Sequence, residues 1–382
     1  MMIEVRKAGF VNKGAELMLL SVLERVQREL PGTDMVMAPD LKSAPYRKRA
    51  VLGLYQKVWF QRYRVQWGFL GRLIPHSMRK FFGLVLDSEV DAVLDASGFS
   101  YSDQVGLSSI LATAKAVKRW KKQGTKIILL PQAFGPFEDR RIKASMKHIT
   151  ENADLIFARD ETSYGYLIAI CGEKEHIRSA PDVTCLLEGK VPESFDPREK
   201  RFCIIPNHRM LEKTSASESA GYVPFLGKCC RYLHERGENP FFLIHEGEKD
   251  ISIVKIILDD LGFDVPVITE DDPLVIKGIL GKCHGVIGSR FHGLVSSLSQ
   301  GIPSLAVGWS HKYEMLFRDY GFKEGLLDVT AGDSEIESAI DRLVGKQSHD
   351  TLSAGLLEKA QTQKALTGDM WKEVFSAIRQ EP

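Results

Sequence analysis

A chain of 382 residues, 44% of them apolar and with 51 basic against 50 acidic side chains, can bury a large core and is expected to form two domains. A formal net charge of +1 and the lack of a recognition motif argue against a nucleic-acid binder. Six cysteines (Cys171, Cys185, Cys203, Cys229, Cys230 and Cys283) form no C-x-x-C pair and have no histidine spacing suited to zinc, so free thiols and no metal site are expected.

In chain order, the opening "MMIEVRKAGF" holds no apolar run of signal-peptide length, and no later run approaches a bilayer span, so a cytoplasmic location is expected. Residues 41–86 contain no Asp or Glu but ten Lys or Arg and nine aromatics. There Tyr55, Trp59, Tyr63 and Trp67 recur every fourth residue, which predicts one side of a helix flanked by Arg62 and Arg64. Two readings of that segment stand side by side: aromatic core with a solvated basic face, or a face held at an anionic membrane.

Farther on, the apolar runs "DAVLDASG" and "KIILLPQA" read as strands around the helical "SSILATAKAVKRWKKQG", which Gly124 is placed to end. The stretch 188–201, "EGKVPESFDPREKR", is charged, holds two prolines and reads as a linker. Beyond it "RFCIIPN", "PFFLIHEG", "DVPVIT", "HGVIGS" and "PSLAVGW" read as strands, with helices opening at residues such as Asp271 or Ser289. Such alternation predicts an α/β fold of two Rossmann-like, doubly wound domains facing a cleft, of the glycosyltransferase-B kind. The expected bounds are 1–195 and 200–345, with a helical segment 346–382 packing back across both.

Parallel strands present ligands at their carboxyl ends, where the following helices point free N–H groups outward. "VIGSRFHGLVSSLSQGIPSLA" lies at such an edge. With Ser289 as cap, Arg290 and His292 fall in a first helical turn; with Ser310 as the next cap, Lys312 falls in another. Singly, an Arg, His or Lys at a helix end is unremarkable. Together, against two helix dipoles that disfavour cations, they predict a small polyanionic ligand. "NHRM" adds His208 and Arg209 at a further strand end.

"GSRFHGLVSSLSQGIPSLAVGWSHKYEMLF" resembles the C-terminal signature of the polysaccharide pyruvyl transferases, in which S-R-x-H precedes a helix, G-x-P follows it and a lysine comes after the next strand. "GFVNKGAELMLLSVL", "LPQAFGPF", "ARDETSYGYL" and "APDVTCLL" resemble further blocks of that family, in family order. Departures are Ala15, where a polar residue is usual, and "ASGFSYSD", where many members carry a run of glycines. The resemblance implies transfer of pyruvate from phosphoenolpyruvate to two hydroxyls of a sugar, as a cyclic ketal with release of phosphate, in cell-surface or exopolysaccharide biosynthesis. It implies phosphoenolpyruvate as co-substrate and no cofactor.

By the same resemblance and by residue type, His292 is the expected acid and base, and Arg159, Arg290, Lys312 and Ser289 are expected to hold the donor. Asp160 and Glu161 are expected to orient Arg159 or cap the next helix, and Asp182 to be a cap or a family position. The acceptor side is expected to draw on Asn12, Glu16, Asp103, His208 and Arg209. The acceptor is a saccharide, with a lipid carrier and an anionic inner-membrane face as further expected partners. Two other classes share the architecture: a sugar-nucleotide-dependent glycosyltransferase and a non-catalytic anion- or glycan-binding protein. The first commonly needs a carboxylate on the helix after "GSRFH"; from Ser289 to Gly301 there is none.

Overall fold

A computed structural model describes residues 1–62, 65–308 and 310–379, with the backbone alone at 61, 62, 65 and 66. The chain divides into two compact units, Met1–Val183 with Thr367–Pro382, and Thr184–Leu366.

In the first unit eight strands form one parallel sheet: β1 (Met2–Arg6), β2 (Asp34–Met37), β3 (Tyr55–Lys57), β4 (Leu84–Val85), β5 (Ala92–Asp95), β6 (Lys126–Gln132), β7 (Leu155–Ala158) and β8 (Ile177–Ser179). Their order is β8-β7-β6-β5-β1-β2-β3-β4. β1 lies centrally, pairing Ile3 with Ala92 on one side and with Met35 on the other. A strand so placed is covered on both faces, which is why Ile3 and Val5 are fully buried and why "KIILLPQ" is continuously apolar rather than alternating. The helices Lys13–Glu29 and Leu107–Gln123 flank the sheet. The second ends as the sequence predicts, with Gly124 at φ 77°, a left-handed cap that a Cβ would strain.

The second unit repeats the plan with β9 (Phe202–Ile205), β10 (Pro240–Ile244), β11 (Val267–Thr269), β12 (Gly285–Gly288) and β13 (Ser304–Ala306), all parallel, in the order β11-β10-β9-β12-β13. Its core runs from Phe225, Leu226 and Cys229 on the helix Ala216–Glu235 to Leu294 and Leu298 behind β12. In both sheets the chain builds outward from a central strand and then crosses to the other side. The order therefore reverses between β1 and β5 in one unit and between β9 and β12 in the other, where doubly wound folds take their ligands.

Three local expectations change. Tyr55 belongs to β3, paired with Val36 of β2, so the four-residue aromatic spacing does not make a helix. Its Tyr63 and the side chains of Arg62 and Arg64 lie outside the described residues. Next, 188–201 carries no helix or strand, yet Phe195 is buried edge-on to Phe241 and the Lys190 N–H bonds the Leu274 carbonyl at 2.8 Å, so the segment packs on the second unit. Finally, Asp272, not Asp271, caps the helix Pro273–Leu280. All six cysteines are free, five of them buried. No helix among the described residues is long and apolar enough to cross a membrane.

Candidate functional site

The strongest constellation lies at the order reversal of the second unit. β12 ends at Gly288, whose missing Cβ would sit 2.9 Å from the Ile205 carbonyl oxygen, so only glycine lets β9 and β12 close there. Ser289 follows, fully buried. Its carbonyl accepts from Asn207 Nδ2 at 2.6 Å and from the Tyr313 hydroxyl at 2.8 Å, and its own hydroxyl meets that of Tyr222. Ser289 is thus a pinned junction and not the expected helix cap. The capping position is Arg290, whose side chain does not cap, and the helix runs Phe291–Leu298.

Arg290 is buried, and three of its five N–H donors are used inside the fold. Nε donates to the Pro206 carbonyl at 3.3 Å, one terminal nitrogen to Asp250 at 2.5 Å and the other to Glu246. Both carboxylates open the helix Gly247–Leu261, Glu246 at its cap and Asp250 in its first turn. Asp250 is fully buried and also accepts the His208 N–H at 2.9 Å. Burial pushes the Asp250 carboxyl above its ordinary value, against the pull of the Arg290 guanidinium. Removing Arg290 would leave the fully buried Asp250 carboxylate without its cation, a cost of about 3–5 kcal/mol. Sequence reasoning missed both acids because they stand 40 and 44 residues from Arg290.

His292, half-buried in the first turn, turns its ring edge-on to Phe291, with centroids 5.5 Å apart. Lys312 lies in the first turn of the helix His311–Asp319, which follows β13, the strand next to β12. Its ammonium stands 5.2 Å from the centre of the same Phe291 ring and 5.4 Å from that of Tyr313. Phe291 is therefore the common floor beneath His292 and Lys312, one residue from Arg290. A cavity of about 400 Å³ borders the same helix start, lined by Lys213, Ser215, Glu218, Ser310, His311 and Glu314.

His208 and Arg209, expected with the acceptor, belong to this unit and to the Arg290 side of it. His208 meets Asp250 through its backbone, and both side chains reach Glu212, at 3.1 and 3.3 Å. The other expected residues fall in the first unit. Arg159, just past β7, is buried and donates to Asp182 at 3.0 Å, so Asp182 is a carboxylate that orients it. Asp160 caps the helix Glu161–Cys171, accepting the Ser163 N–H at 2.7 Å.

Asn12 caps the helix Lys13–Glu29, and Glu16 in its first turn pairs with Lys13 at 3.4 Å. Asp103 accepts the N–H groups of Glu138 and Asp139 at 2.6 and 3.2 Å, bracing the loop before the helix Arg140–Asn152. At that unit's own reversal stand Lys7 and Asp95, at the ends of β1 and β5, which no sequence motif marks. Lys7 has φ 57°, rare for a side chain of this size, and its buried ammonium makes no hydrogen bond. It lies 3.6 Å from the Tyr101 ring centre and 4.0 Å from Asp95, whose other oxygen is likewise buried and without a hydrogen bond. Burial pulls the Lys7 ammonium down to about 8.

Residues 12–311 match the family described as Polysaccharide pyruvyl transferase. The chain belongs to the polysaccharide pyruvyl transferase family. The match takes in Ser289, Arg290 and His292 and ends at His311, one residue before Lys312. This family member is 20% identical over 299 residues to the amylovoran biosynthesis protein AmsJ of Erwinia amylovora, covering 72% of this chain and 70% of that one. Among solved structures, the UDP-GlcNAc 2-epimerase of Neisseria meningitidis bound to UDP-GlcNAc superposes with a TM-score of 0.62 at 12% identity, covering 99% of each chain. Anabaena HepE in complex with UDP-glucose gives 0.59 at 12% identity, over 98% of this chain and 99% of that one. MurG of Acinetobacter baumannii gives 0.56 at 9% identity, with the same coverage. At such identities the likeness concerns the fold alone, and it makes this pyruvyl transferase family member glycosyltransferase-B-like.

Proposed function

We propose that the protein transfers pyruvate from phosphoenolpyruvate to two hydroxyls of a saccharide, forming a cyclic ketal in exopolysaccharide biosynthesis. The reading is carried by His292 standing at the order reversal of the second sheet, two residues from Arg290 and on the same aromatic floor as Lys312.

In the reaction C3 of the donor takes a proton, C2 becomes oxocarbenium-like and one sugar hydroxyl attacks it. The C2–O bond to phosphate breaks and a second hydroxyl closes the ring. Of the two hydroxyl protons released, one balances the proton gained at C3 and the other leaves with phosphate. His292 is the group of suitable type to protonate C3. Lys312, at a helix N-terminus, supplies charge for phosphate or carboxylate. Arg290, with its charge already shared between Glu246 and Asp250, contributes at most its two remaining N–H groups and the placement of the turn that bears His292.

Phosphate release from phosphoenolpyruvate that depends on a saccharide acceptor, with the acceptor gaining the mass of a pyruvate ketal, is the expected result. His292→Gln is expected to keep donor affinity and lose about two orders of magnitude or more in turnover. Lys312→Met is expected to weaken donor binding in calorimetry. Consumption of nucleotide sugars with phosphoenolpyruvate inert overturns the reading in favour of a glycosyltransferase, and donor binding without turnover assigns a binding protein.

A further inference from the structure

We propose that the described stretches 41–60 and 67–86, at the edge of the first unit around β3 and β4, dock the protein on a bilayer carrying anionic lipid. The inference stands on this surface alone and does not require the proposed reaction.

Two short helices of the segment are built inside out. Tyr46–Val51 buries Arg49 and exposes Tyr46 and Val51, the latter to 78%. His76–Phe81 buries Arg79 and exposes Met78 and Phe81, the latter to 83%, with Phe82 exposed just beyond it. Between them the 3-10 turn Gly68–Leu73 exposes Phe69, Leu70 and Leu73. A surface helix ordinarily turns its apolar side to the core and its charges to water. Eleven of the twenty large apolar side chains exposed among the described residues fall between Leu41 and Phe82. Such a concentration marks an interaction surface.

The charges are divided in a matching way. The buried bases are used by the fold: Arg49 donates to the Ala44 carbonyl and Gln56, Lys57 pairs with Glu4 and Asp87, and Arg79 pairs with Glu89. Among the described side chains the bases left exposed are Lys42, Arg47, Lys48, Arg72 and Lys80, and no acidic residue from 41 to 86 offsets them. Exposed Phe and Leu interleaved with Lys and Arg is the composition that seats in a headgroup layer, apolar tips in the acyl boundary and bases at the anionic surface. A protein partner is a poorer match, since lysine is depleted in protein interfaces and three of the five exposed bases among the described side chains are lysines.

Sedimentation of the full chain with phosphatidylcholine vesicles, and with vesicles mixed with phosphatidylglycerol, tests the inference. Binding is expected to the mixed vesicles and to fall as salt screens it. Each base removed is expected to lower partition about fivefold, so Arg72→Gln with Lys80→Gln costs about 25-fold. Phe81→Ser with Phe82→Ser is expected to cost at least about tenfold. Both pairs alter exposed side chains, so the melting temperature is expected to stay unchanged. Equal, negligible association with both vesicle types at low salt overturns the inference. So does binding to mixed vesicles that survives both pairs. Self-association that the phenylalanine pair abolishes, without vesicle binding, overturns it too and assigns the face to a second copy of the chain.

Discussion

Lys7 is the residue at which local physics is most strained. Its backbone is left-handed, and its ammonium is buried over Tyr101 without a hydrogen bond, an arrangement that costs stability and persists where something else requires it. The Lys7 value falls from 10.5 to about 8, so between those pH values the unfolded chain holds more protons than the folded one. Stability is then greatest above pH 10.5 and is lost as the pH falls through about 8. Lys7→Met is accordingly expected to stabilise the first unit at pH 7 by about 1–3 kcal/mol, less at pH 10 and above. Urea unfolding at the two pH values measures this, and an unchanged midpoint at pH 7 would mean that the ammonium carries no penalty. Loss of turnover in the same stabilised variant would be the sign of a functional site.

At the scale of elements, the helix Lys346–Arg379 is tied to the second sheet by a pair of stacked imidazoles. His349, in its first turns, lies face to face with His284, just before β12, with centroids 3.6 Å apart and planes 7° from parallel. His349 Nε2 also lies 2.9 Å from the His284 carbonyl oxygen. Burial, then the facing His349 and Arg201, pull the His284 imidazole down to about 4, while Asp350 opposes them. A depressed histidine contributes stability that is complete above its ordinary 6.5 and is lost as the pH falls through about 4. Because the ring is half-exposed and screened by solvent, the loss is put at about 1 kcal/mol. Hydrogen exchange of residues 346–355 is expected to quicken from pH 7 to pH 4.5 beyond the intrinsic trend. His284→Phe, which keeps the stacking without the charge, is expected to abolish the excess.

For the molecule as a whole, that same helix is divided between the units, its residues from Thr367 onward counting with Met1–Val183. Met370, Trp371, Val374 and Phe375 are buried there, Glu373 pairs with Arg178 at 2.7 Å, and Arg379 donates to the Glu29 carbonyl at 2.9 Å. Four such side chains contribute about 1.5–3 kcal/mol each, comparable in sum to the stability of a domain. Truncation after Leu366 is therefore expected to unfold the first unit and spare the second. Limited proteolysis that cuts 1–183 while leaving 184–366 intact checks this; equal resistance of both would exclude the terminal turns from that core.

The sequence by itself determined what is local. Strands buried on both faces must be continuously apolar, so "KIILLPQ" and "FCII" announced parallel sheets, and "VIGSRFH" announced a strand end followed by a helix start. Tertiary structure alone decided the partners. Arg290 met Glu246 and Asp250, Arg159 met Asp182, and Lys7 met Asp95, because ends of strands distant in the chain are brought side by side by the order of the sheet. It also overruled local pattern where the two conflicted. Around Tyr55 a helical spacing yielded to pairing with β2 and β4, since a strand between two neighbours gains backbone hydrogen bonds on both sides and periodicity within one segment contains no term for its neighbours.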